Sequence, residues 1–276
     1  MMFRLISNVL MMALLVSACD RAFAQEDQDH RGLNFAYAAV LGSGVYFLDG
    51  STVAVLRVPF RKTLKAPEVG RWGTRLTLPV TLGYHQFDND YYPSNNDSVA
   101  SMSFVPGFEF SYLVNPNWAI KPFVNAGAGV NFEDGSTDLI WATGIRTRAD
   151  VRFGTPAITL GAELLYAAHD GPDENTSDNF SRFAAGIDFQ FPLAMTIGTR
   201  RTSLTTHLIG YDYIKELEFQ PEVGDPFKVG SAVEVGVAIG LDPPLSFFGF
   251  TLDRIGLGYR YGNDQKAIVL VRKFPF

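Results

Sequence analysis

From Phe35 onward, apolar residues recur at every second position through most of the chain, and this period marks β-strands with one apolar face. Leu76, Leu78, Val80, Leu82 and Tyr84 alternate with Arg75, Thr77, Pro79, Thr81 and Gly83. Val233, Val235, Val237, Ile239 and Leu241 alternate with Ala232, Glu234, Gly236, Ala238 and Gly240. The same pattern runs through Phe104 to Tyr112, Ile158 to Tyr166 and Phe183 to Phe191. The intervening face decides the class of sheet. A water-soluble sandwich would crowd it with Lys, Glu and Thr. Here it is small or weakly polar, with about one charge per strand: Arg57, Arg75, Glu109, Lys121, Glu163, Asp188 and Glu234. Isolated charges of both signs among glycines suit the narrow polar interior of a closed barrel.

Counting segments gives twelve strands, at 35–47, 51–61, 72–86, 99–113, 117–130, 138–148, 151–166, 180–191, 200–213, 229–241, 246–261 and 265–276. The expected fold is all-β, a closed transmembrane antiparallel barrel with no linker dividing it. A bulge is expected near Asp253 and Arg254, where the alternation changes phase. The connections support the count. Those at 87–98, 131–137, 167–179 and 214–228 are long and rich in Asp, Asn, Gly and Pro. Those of opposite parity include Val114 to Asn117, Arg148 to Val151 and Asp242 to Leu245, all short, with 62–71 and 192–199 somewhat longer. Long external loops against short internal turns is the asymmetry of outer-membrane barrels. It places both termini in the periplasm.

The composition agrees: 26 Gly, 23 Phe and 11 Tyr, with 47% hydrophobic and 19% charged residues. A net charge of −6 without basic clusters speaks against a nucleic-acid surface. Residues 1–24 read as a signal peptide. Arg4 is its basic start, Val9 to Ala18 its apolar stretch, and Ala22-Phe23-Ala24 its cleavage site before Gln25. Val16-Ser17-Ala18-Cys19 competes as a lipobox that would lipidate Cys19, the one cysteine in the sequence. Residues 25–34 form a short periplasmic leader, and 35–276 the barrel.

Motifs for chemistry are scarce. His30, His85, His169 and His207 show no metal-binding spacing, and no metal or cofactor is expected. The acidic loop residues, among them Asp88, Glu133 and Asp173, read as solvated. Ser203 and His207 share a strand face, but four residues apart is about 13 Å, too far for proton transfer. The chain is therefore not expected to be an enzyme. The sequons at Asn175 and Asn179 read as chance matches. Tyr91 and Tyr92 are candidate external contacts, on the loop face an adhesive barrel would use. Phe274 and Phe276 lie on one face with Ile268 and Leu270 at the end of the last expected strand. They resemble the terminal signal read by the barrel assembly machinery.

Twelve strands, a periplasmic N-terminus and the aromatic Phe276 resemble the translocator barrel of autotransporters, in a solitary form without a passenger. The resemblance covers about residues 35–276 and rests on overall pattern. It implies residence in the cell outer membrane, with lipid and lipopolysaccharide as surroundings. The ten residues from Gln25 to Asn34 leave no passenger domain, so the export function of that family does not carry over. The expected role is a small diffusion channel or a structural barrel. Adhesion through the loops and lipid modification are the alternatives.

Overall fold

The computed structural model describes residues 41–48, 50–88, 98–133, 135–152, 154–171, 178–219, 227–247, 250–263 and 265–276. The expected signal peptide (1–24) and leader (25–34), Cys19, Tyr91 and Tyr92 lie outside the described residues. Thirteen strand segments follow one another: β1 (Gly44–Leu48), β2 (Ser51–Lys65), β3 (Trp72–Phe87), β4 (Ser98–Phe104), β5 (Gly107–Asn115), β6 (Trp118–Asn131), β7 (Thr137–Arg152), β8 (Ala157–Asp170), β9 (Asp178–Ile197), β10 (Arg200–Phe219), β11 (Phe227–Phe247), β12 (Phe250–Gly262) and β13 (Gln265–Val271).

Segments β4 and β5 are one stave of the barrel. Both pair with β3 on one side and β6 on the other, and the register steps evenly from Val80↔Phe104 to Thr77↔Gly107. The ladder is interrupted where Pro79 and Pro106 supply no N–H, beside the facing pair Pro59↔Pro79. The side-chain alternation passes through unbroken. Twelve antiparallel staves result, and β1 closes the ring by pairing with both β2 and β13. The closing ladders run over Ser51–Val55 of β2 and Gly256–Gly262 of β12; beyond them, Leu56–Lys65 and Phe250–Ile255 face no strand on the closing side among the described residues.

The expected alternation holds around the ring. Leu82, Tyr84, Phe104, Phe108, Leu160, Phe183, Val233, Val235 and Val237 present exposed side chains on the outside. Thr81, Glu109, Glu163, Ala184, Asp188 and Glu234 are buried on the inside.

Several boundaries differ from the sequence reading. Strand β7 runs through Arg148–Val151 to Arg152, so the connection comes later than expected, because the pairing of β7 with β8 continues to Arg152↔Ala157. The connection expected at 192–199 contracts to Gly198 and Thr199, with Gly198 at positive φ. Asp242 to Leu245 is not a turn but part of β11. The irregularity expected at Asp253 and Arg254 falls on β11 as well. Gly240 pairs with Arg254 and Leu245 with Leu252, so the surplus residues bulge from β11 while β12 alternates evenly.

The largest correction concerns the end of the sequence. The last strand stops at Val271, and Phe274 and Phe276 do not share the outer face of Ile268 and Leu270. Ile268 and Leu270 are exposed outside, whereas Phe274 and Phe276 are buried. The last five residues turn into the barrel. The Phe276 ring lies against Gly161 of β8, on the far side of the ring from β13, where even a methyl group would overlap it. Phe274 packs edge-on to Phe276, ring centroids 5.0 Å apart, and lies 6.4 Å from the His207 ring. Arg272, which breaks the apolar alternation after Leu270, marks where the tail departs.

Candidate functional site: the barrel interior

The interior has three parts. Toward the end that carries the long connections, it is filled by apolar side chains. Tyr46, Ile140, Phe180 and Val229 are fully buried there, with Leu48, Val53, Ala167 and Tyr213 around them. Two histidines lie at the margin of this layer. His169 meets Asp138 at 3.0 Å, and His85 stacks on Phe87.

The middle of the interior is a charged network. Arg75 Nη1 donates to Glu109 Oε1 at 3.1 Å, and Arg146 Nη1 to Glu109 Oε2 at 3.3 Å. Arg146 Nε then reaches Glu163 Oε2 at 2.6 Å, and Arg182 Nη2 reaches Glu163 Oε1 at 2.7 Å. Side chains from β3, β5, β7, β8 and β9 are thereby joined in alternating sign. A second cluster surrounds Glu234. Arg260 donates twice to its Oε2, at 3.1 and 2.8 Å, Tyr211 Oη donates at 3.1 Å, and His207 Nε2 lies 3.0 Å from Oε1. Tyr211 bridges the two clusters, its ring 4.1 Å from the Arg260 guanidinium carbon and 5.3 Å from that of Arg182. Phe123 stacks under Arg146 at 3.9 Å. Arg254 crosses from β12 to grip Asp188 of β9 through two bonds, at 2.6 and 3.0 Å. Paired and hydrogen-bonded in this way, the charges tolerate burial.

Of the seven interior residues read from the sequence, Arg75, Glu109, Glu163, Asp188 and Glu234 enter these ion pairs. Arg57 and Lys121 make no ion pair among the described residues. Sequence reasoning missed Arg146, Arg182, Arg254 and Arg260, the cations that complete the network. Arg182 was within reach, since it has the same parity as Ala184, Gly186 and Asp188. Arg260 was obscured by the apparent change of phase in its strand.

The third part is a cavity of about 210 Å³ between the charged network and the tail. Arg57, Arg61, Arg272 and Lys273 line it, together with Phe276 and residues 41–43. Ser43 is fixed there by reciprocal bonds with the Arg57 backbone, 3.0 and 3.2 Å long.

The serine–histidine pairing does not assemble. Ser203 Oγ accepts from Gln190 Nε2 at 3.0 Å, while His207 turns to Glu234. No group of three metal-binding side chains occurs among the described residues. The chain matches no protein-family model and no curated protein.

Proposed function

We propose that this protein is an integral outer-membrane barrel whose interior is plugged, serving a structural role rather than solute diffusion. The outer surface carries the membrane reading. Its apolar face is bordered at one end by Trp72, Tyr112 and Trp118, and at the other by Tyr84, Trp141, Tyr166 and Tyr261. Rings pair at both borders: Trp72 with Tyr112 at 5.1 Å and Trp141 with Tyr166 at 5.0 Å. Trp72 and Tyr84 stand at the two ends of one face of β3. At about 3.3 Å per residue and a tilt of 35–45°, they are separated by roughly 30 Å across the membrane, which suits an apolar band of about 25 Å between aromatic girdles. The end with the long connections then faces outward and the tail end faces the periplasm.

The packed layer around Tyr46, Ile140, Phe180 and Val229 carries the plugged reading. A diffusion channel needs a continuous polar path, and this layer interrupts it. The role read here is non-catalytic, in keeping with the separate engagements of Ser203 and His207. In an autotransporter-like barrel the lumen is occupied by a helix; here side chains and the 272–276 tail fill it. Recognition of Phe274 and Phe276 by the assembly machinery precedes folding in this reading, because folding buries both rings.

The test is planar-bilayer recording on the refolded chain, with folding verified by heat-modifiable gel mobility. Folded protein is expected to insert and remain electrically silent. Steady single-channel steps would overturn the plug, and failure to enter lipid would overturn the membrane assignment.

A further inference from the structure

The cavity between the charged network and the tail carries more positive charge than the protein itself neutralises. Seven cationic side chains line it against three carboxylate side chains, although the chain as a whole has a net charge of −6. The carboxylates are already engaged: Glu109 by Arg75 and Arg146, Glu163 by Arg146 and Arg182, and Glu234 by Arg260, Tyr211 and His207. Arg57, Arg61, Arg272 and Lys273 are left without a carboxylate partner among the described residues, and Arg57 Nε is buried with no acceptor. Lys273 lies within electrostatic reach of three cations, Arg61, Arg146 and Lys121, against one carboxylate, the already engaged Glu109.

We infer that this cavity is a binding site for a phosphate group. A buried guanidinium nitrogen without an acceptor and several uncompensated cations around one void call for an anion with several oxygens. Guanidinium forks match phosphate oxygens two at a time, and an ammonium adds a point charge. A single carboxylate would leave most of these cations unmatched, whereas a phosphate group brings up to two charges and three or more acceptors. The space suffices, since a water molecule's share of liquid volume is about 30 Å³. The tail is part of the site, because it supplies Arg272 and Lys273. Exposed Lys62 and Lys65, following Arg61 along β2, place further positive charge at the approach. The phosphate comes either as the free ion or as a lipid headgroup. The inference holds whether or not the barrel conducts.

Calorimetric titration of the folded full chain in alkyl-maltoside micelles at fixed ionic strength tests it. Inorganic phosphate is titrated in one arm and short-chain phosphatidic acid in the other. Saturable one-to-one binding is expected in at least one arm. Binding of the inorganic ion identifies a free-phosphate site, and binding of phosphatidic acid alone identifies a headgroup site. Arg61→Gln and Lys273→Gln should each weaken binding tenfold or more, while Arg148→Gln, whose side chain pairs with Asp150 outside the cavity, should not. No saturable binding in either arm overturns the inference, as does binding that both cavity variants leave unchanged. The wild-type titration decides the matter even if one variant fails to fold.

Discussion

The two ends of the barrel interior are filled by opposite means. Toward the long connections, inward positions carry Tyr46, Ile140, Phe180 and Val229, which exclude water by packing. Toward the tail they carry Glu109, Arg146, Glu163 and Arg182, which exclude it by satisfying one another's charge. The strands are the same strands, and β9 contributes Phe180 to one layer and Arg182 to the other. A closed sheet therefore fixes which residues point inward without fixing how they fill the space. The two solutions fail differently. An apolar layer loses stability in proportion to the volume removed. A charged layer loses it discontinuously, because deleting one member strands its partners.

The largest effect expected from that contrast is at Glu163. Glu163→Leu removes the one carboxylate that Arg146 and Arg182 share, leaving Arg182 without a charge partner. We expect a loss of about 3–5 kcal/mol in urea unfolding of the refolded barrel. Adding Arg182→Met should recover part of it, since an apolar group then fills the place of an unpaired cation. A loss below about 1 kcal/mol would mean that water reaches this layer and screens it.

A smaller effect is expected where the tail meets the wall. Gly161 leaves room for the Phe276 ring, and Gly161→Val fills that room. The tail should be displaced and the barrel should stay closed, because the ladder at Gly161 uses backbone groups that remain. With Pro275→Cys as reporter, maleimide labelling should be slow in the parent and at least tenfold faster with Gly161→Val. Mass spectrometry would separate this thiol from Cys19. Equal rates would mean that the tail already leaves the interior in solution.

Much of this was legible beforehand, for a geometric reason. One buried and one solvent- or lipid-facing side per strand imposes period two, and a register slip would invert every side chain. The outward faces of β3 and β11 were therefore readable from Leu76 to Tyr84 and from Val233 to Leu241. The charged interior was half legible: parity placed Glu109, Glu163 and Glu234 inside, but the register that sets Arg75, Arg146 and Arg260 directly opposite them is not written in parity, and neither is the reach of Arg254 from β12 to Asp188 of β9. The apolar layer left a signal that is easily passed over. In Leu164-Leu165-Tyr166-Ala167-Ala168 the alternation fades because both faces of β8 are apolar there, as in a strand buried on both sides. The tail was not legible. Phe274 and Phe276 continue the parity of Ile268 and Leu270 on paper, and only the departure of the backbone after Val271 turns them inward.

The smallest effect is the one that separates the two layers most cleanly. Ile140 is fully buried in the apolar layer, facing His169 rather than the Glu109–Arg182 network, so Ile140→Val removes a single methyl group from a packed site. A graded layer should respond with about 0.5–1.5 kcal/mol in urea unfolding and no change in conductance. The void left by one methyl group is too small to hold a water molecule or open a polar path. The effects of Ile140→Val and Glu163→Leu should also add, because distant sites without shared partners are independent. If instead the double variant loses more than the two single losses together, the layers support each other through the barrel wall, and the interior is one cooperative unit rather than two.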